Sequence, residues 1–132
     1  MTDEDTFLDC TLWQTVLEEL SGSGIAQGAS IGLLRMKTFA ARQGSLVILR
    51  KEASGMRALI REHSGEFGPD VAVLLVVDDV AIEALQTQGL ASARTLVRQG
   101  KLQPYILKTM DQLEAAGMED LIEDLGLTFP TH

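Results

Sequence analysis

Val71-Ala72-Val73-Leu74-Leu75-Val76-Val77 is an unbroken run of seven apolar residues that ends at Asp78-Asp79. A strand with one wet face alternates apolar and polar residues. A continuous, largely β-branched run describes a strand covered on both faces, as in the parallel sheet of an α/β layer fold. The two aspartates mark where this strand leaves the sheet, at the carboxyl edge where open α/β sheets bind their ligands. The run therefore sets an expected architecture and an expected place for a site, without supplying a chemistry.

Downstream, the pattern predicts a helix over Ala81 to Gln88, and another over Ala91 to Arg98 between Gly89 and Gly100. Leu102 to Leu107 reads as a strand that Pro104 pushes to the sheet edge, because proline cannot donate to a ladder. A helix over Met110 to Ala116 stops at Gly117, an acidic turn or two follows over Glu119 to Leu125, and Leu127-Thr128-Phe129 reads as a short fourth strand. Upstream, Gly65 to Pro69 is a loop. Ala53 to His63 reads as a helix with Met56, Leu59 and Ile60 on one face, and Ser45 to Arg50 as a short buried strand around Leu46-Val47-Ile48-Leu49. A helix from about Ile25 to Arg42 puts Ile31, Leu34 and Phe39 inward, with Gly44 as its stop. Residues 6–20 form an amphipathic helix with Phe7, Leu8, Leu12, Trp13, Val16, Leu17 and Leu20 as its apolar stripe. Strand and helix alternate, which predicts an α/β fold: a three- to four-stranded, mainly parallel sheet with flanking helices and two extra N-terminal helices. The chain reads as a single domain, a helical extension over 1–43 packed on an α/β core over 45–129.

At 132 residues, with 45% hydrophobic and 23% charged residues, the chain can bury a real core without staples. A formal charge of −8 argues against nucleic acid and against anionic membrane surfaces, both of which are held by Lys and Arg. The longest apolar run is too short to span a bilayer, and the acidic Thr2-Asp3-Glu4-Asp5 is unlike a signal peptide, so a cytoplasmic location is expected. A single cysteine, Cys10, allows no internal disulfide.

Each candidate motif has a plainer account beside it. Val76-Val77-Asp78-Asp79 and Tyr105-Ile106-Leu107-Lys108 imitate the first and last strands of a receiver domain. A receiver also needs a phosphoacceptor aspartate between them, and Val80 to Gln103 contains no aspartate. Helix capping explains Asp78 or Asp79 better. Gly22-Ser23-Gly24-Ile25-Ala26-Gln27-Gly28 fails as a dinucleotide loop, since its last glycine is one position late and a helix precedes it. His63 is expected at a helix C-terminus, where the dipole favours it, and His132 is the last residue. Cys10 has no basic neighbour to activate it. Glu119, Asp120, Glu123 and Asp124 read as a solvated helical face. No catalytic group, metal cluster or cofactor motif is expected.

Val73 to Asp79, Gly100, Tyr105 and Gly117 follow the order of landmarks in the DsrE/DsrF/DsrH family of small sulfur-relay proteins, which residues 45–129 resemble. The resemblance implies a first strand and helix leading to the apolar strand, then a helix, a strand and a last helix. Active members carry a persulfide-bearing cysteine just after the Tyr, where this chain has Leu107, so sulfur transfer does not carry over. Ser21-Gly22-Ser23-Gly24, a helix through Leu33 and Leu34 to Arg42, and Gly44 to Leu49 are similar to the serine loop, first helix and following strand of STAS domains. The two strands that precede that loop in STAS domains have no counterpart here.

Two functions follow as expectations. The first is a non-enzymatic interaction or accessory module, acting as a homo-oligomer or as a subunit with a protein partner, with Phe7 and Trp13 as contact anchors. The second is a small-molecule or sulfur-carrier protein. It would bind at the carboxyl edge of the sheet through Asp78, Asp79 and Lys108, the polar groups leaving adjacent expected strands.

Overall fold

The computed structural model describes residues 7–21, 24–65 and 67–125. Its centre is a five-stranded mixed sheet in the order β3-β2-β1-β4-β5. The strands are β1 (Ser30–Arg35), β2 (Gly44–Glu52), β3 (Gly55–His63), β4 (Val71–Val77) and β5 (Leu102–Ile106). The helices are α1 (Gln14–Ser21), α2 (Met36–Ala41), α3 (Asp79–Gln88), α4 (Ala93–Arg98), α5 (Met110–Ala115) and α6 (Glu119–Asp124). Short 3-10 turns over Cys10–Trp13 and Gly89–Ser92 lead into α1 and α4.

β4 occupies the residues expected of it, and every one of its side chains is buried. The sheet around it is not mainly parallel. Only β1 and β4 run parallel, while β1–β2, β2–β3 and β4–β5 are antiparallel. Burial on both faces reflects the layers that cover β4 and does not require parallel neighbours.

Two expected helices are strands, and they account for the difference. Ser30–Arg35, inside the stretch read as a helix from Ile25 to Arg42, is the middle strand β1. Only Met36–Ala41 of that stretch is helical. Gly55–His63, read as a helix, is β3, and it pairs with β2 through the two-residue turn Ala53-Ser54 that joins the Glu52 and Gly55 partners. Met56, Leu59 and Ile60 have helical spacing, yet their burial is split. Met56 packs on one core and Leu59 on the other, and Ile60 stays exposed. His63 is therefore a strand residue, buried and stacked on Phe67 at 5.0 Å, and not a helix terminus.

The two faces of the sheet are covered unequally. On the first face Ile31, Leu33, Val47, Leu49, Val73, Leu75 and Val77 meet α1, α3, α4, α5 and α6 in one apolar core. On the second, Leu34, Leu46, Ile48, Val71, Leu74 and Val76 are covered by Met36 and Phe39 of α2, Leu59 of β3 and Phe67 of the loop before β4. Phe7 and Trp13 lie in the first core, 1% and 0% exposed, with their rings edge to face at 6.0 Å. The Trp13 indole N–H donates to the Phe7 carbonyl at 2.8 Å, which satisfies its one polar atom.

β5 is an edge strand, as Pro104 predicts. Leu107 N–H donates to the Ala72 carbonyl and Asp78 N–H to the Lys101 carbonyl, so alternate residues of β5 bond inward and the Pro104 nitrogen faces outward. The strand expected over Leu127-Thr128-Phe129 lies outside the described residues.

Candidate functional site

The antiparallel course of β5 separates the residues expected to act together. Asp78 and Asp79 follow the end of β4, whereas Lys108 follows the end of β5, beside the start of β4. At the Asp78 end each carboxylate has one partner, and both serve the start of α3. Asp78 is the N-cap of α3, its carboxylate accepting the Ala81 N–H at 2.8 Å. Asp79 sits in the first turn of α3 and faces Arg35 at 3.6 Å.

The start of β4 is built differently. Asp70, the residue before the apolar run, accepts from the Ser30 hydroxyl at 2.9 Å, from Arg50 at 3.0 Å, and from both terminal nitrogens of Arg61 at 3.0 and 3.1 Å. The Arg61 guanidinium holds its carboxyl well below the usual carboxylate range. Burial pushes the other way, and Arg50 and Ser30 add to the lowering. Arg61 reaches Asp70 past Gly68, where a Cβ would collide with both the carboxylate and the guanidinium. The Ser30 N–H donates to the Asp70 carbonyl at 2.9 Å, so the network ties β1, β2 and β3 to the entry of β4.

Beside this network a cleft of about 200 Å³ opens between the turn before β1, the start of β4 and α5. Gly28, Ala29, Pro69, Ala72 and Ala116 give it small apolar walls, and Asp70, Lys108 and Gln112 bring polar groups to it. Ala72 belongs to the first core, and Ala29 and Ala116 pack against that core, so the walls of the cleft are the margin of the protein interior. A bulge falls here: Ser30 pairs with Val71 and Ile31 with Val73, which leaves Ala72 as the extra residue on β4. Such irregularities recur beside functional sites because they re-aim side chains and loosen pairing.

Local contacts fix the far wall. Thr109 and Gln112 form a reciprocal capping box at the start of α5, with bonds of 3.0 and 3.2 Å. The Ala26 N–H donates to the Ala116 carbonyl at 2.8 Å. Gly117, at φ +70°, lets the chain turn so close to the Gly24 carbonyl that no Cβ would fit. Lys108 is half-buried and makes no ion pair among the described residues.

A wider depression of about 380 Å³ lies between α1 and α4, lined by Glu19, Leu90, Ala91 and Arg94. Its charged groups are committed: Glu19 accepts the Leu90 N–H at 3.0 and 3.2 Å, and Arg94 donates to the Glu123 carbonyl at 2.7 Å. Among the described residues no group of His, Cys, Asp or Glu is arranged to hold a metal, and no helix is long and apolar enough to cross a membrane.

No family model matches the chain, and no curated protein matches it. Solved structures similar to it include a conserved hypothetical protein from Thermus thermophilus, at 14% identity over 99% of this chain and 93% of that one, with a TM-score of 0.48. Sterol Carrier Protein-2 like-3 from Aedes aegypti is 16% identical over 92% of both chains, with a TM-score of 0.46. The sec-alkylsulfatase Pisa1 from Pseudomonas sp. is 15% identical over 79% of this chain, with a TM-score of 0.41. There the chain spans only 13% of the other protein's length.

The DsrE-like and STAS-like resemblances are both corrected. The former requires a helix over Ala53 to His63, which is β3, and the latter a helix through Leu33 and Leu34, which lie in β1.

Proposed function

We propose that this chain is a small-molecule binding or carrier module whose ligand enters the cleft between the start of β4 and α5. One observation carries the reading: small apolar side chains at the margin of the main core share a cleft with a half-buried lysine that has no ion-pair partner among the described residues. Few, well-placed polar groups over an apolar surface are what a binding site needs. The interaction-module alternative loses its expected anchors, because Phe7 and Trp13 fill the chain's own core. In this reading Lys108 is a ligand-binding residue, whereas Asp78 and Asp79 serve the start of α3.

The test is thermal unfolding against a panel of small amphipathic molecules, on the parent chain and on Ala116→Phe, which fills the cleft. Anything that binds only the folded state stabilises it, by on the order of 10 °C at roughly 100 times Kd for a domain of this size. The expected result is a raised melting temperature for at least one compound in the parent and none in the variant. A panel without effect on the parent would count against the reading.

A further inference from the structure

We infer that the polar end of the ligand is an anion, a carboxylate or a phosphate, and that Lys108 is its seat. The inference rests on the cleft being a binding site and adds the chemical class that the cleft selects. Lys108 lines the cleft and makes no ion pair among the described residues, so its ammonium is available to an anionic group seated there.

Asp70, the acidic group in the same cleft, does not meet that need. One of its oxygens accepts from Ser30, Arg50 and Arg61, and the other from Arg61. Two guanidiniums against one carboxylate leave this network with a formal charge of +1. It therefore adds to the field of Lys108 instead of cancelling it.

The strand ends that converge on the cleft carry Arg50, Lys51 and Lys108 against Glu52 and Asp70, with Arg61 reaching in. Arg57 at the start of β3 is held at 3.5 Å by Glu52. The acidic residues of α5, Asp111 and Glu114, are exposed. In a chain with a formal charge of −8, a basic excess at one sheet end is a local feature and not a property of the whole surface. A cationic ligand would face Lys108 and the two arginines, and a neutral one would leave the ammonium unpaired. At about 200 Å³ the cleft is smaller than sites for drug-sized molecules, so it takes a short ligand, or the head of a longer one with the adjoining carbons against Ala29, Ala72 and Ala116.

The experiment is calorimetric titration of the full chain with octanoate, octyl phosphate and octanol, repeated on Lys108→Gln and Lys108→Arg. Charge-assisted hydrogen bonds to a seated anion predict that octanoate, octyl phosphate or both bind the parent about ten- to a hundredfold more tightly than octanol. Lys108→Gln should bring the anions down to the octanol level, and Lys108→Arg should retain most of their affinity. Preference for one anion over the other identifies carboxylate or phosphate as the head. Octanol binding the parent as tightly as the anions, or Lys108→Gln leaving anion affinity unchanged, would overturn the anionic head while leaving the cleft as a site. Failure of all three to bind would overturn the site itself, and the inference with it.

Discussion

The two ends of β4 carry the same kind of residue and use it in different ways. At the far end, Asp78 accepts backbone N–H of α3 and Asp79 faces a single arginine, so both carboxylates serve the start of one helix. At the near end, Asp70 is enclosed by two arginines and a serine drawn from three other strands, and an uncommitted lysine stands beside it. A carboxylate that caps a helix is balanced by backbone N–H groups and gathers no positive charge around it. A carboxylate whose charge is exceeded by its partners organises a basic site. On the proposed reading, the ligand sits at the end of the strand where a parallel sheet would not have placed it.

Substitutions along β4 test that contrast. Leu74 joins the two ends and is 1% exposed on the second face. Leu74→Ala should cost about 2–5 kcal/mol in urea unfolding, from lost transfer energy and an unfilled cavity. Asp70→Ala should cost roughly 2 kcal/mol, because it strands two half-buried guanidiniums as well as the Ser30 hydroxyl. Asp78→Ala should cost about 1 kcal/mol, the ordinary loss of an N-cap. Asp79→Asn should cost less than about 0.5 kcal/mol, since its pair with Arg35 is long and its carboxylate half-exposed. If Asp78→Ala proved more damaging than Asp70→Ala, the two ends would have to exchange roles.

Acid sharpens the same comparison. The carboxyl of Asp70 titrates lower in the folded chain than in the unfolded one, so its stabilisation is complete above the ordinary carboxylate range. It fades as the pH falls from about 4 toward the lowered folded value. Asp70→Asn lacks that contribution. The stability gap between parent and Asp70→Asn should therefore hold constant above about pH 5 and narrow below about pH 4, as measured by urea unfolding at each pH. A gap independent of pH would remove the arginine network as its cause.

β4 was legible because seven consecutive apolar residues leave little choice, and β5, α3, α4 and α5 were legible from the glycines and the proline that bound them. β1 and β3 were not. Ile31, Leu34 and Met56, Leu59, Ile60 repeat at helical spacing by coincidence, and what makes them strands is pairing with β2 and β4, which is absent from any local window. The proposed site was half visible. Lys108 was singled out, but on the premise of a parallel sheet it was grouped with Asp78 and Asp79, which lie at the opposite end of β4. Asp70 flanks the same apolar run as Asp78, and that adjacency was the available signal. Its partners Ser30, Arg50 and Arg61 converge only once β1, β2 and β3 are seen as one antiparallel unit. The start of α5 was also readable, from Thr109 followed three residues later by Gln112.

Amide chemical-shift mapping of the isotopically labelled chain during titration with octanoate and with octanol tests the central claim most directly, because it reports where a small ligand sits. The account predicts perturbations centred on Gly28, Ala29, Asp70, Ala72, Lys108 and Gln112, with Asp78, Asp79 and Val80 unmoved. Perturbations centred on Asp78 and Asp79, or none from either compound, would contradict it.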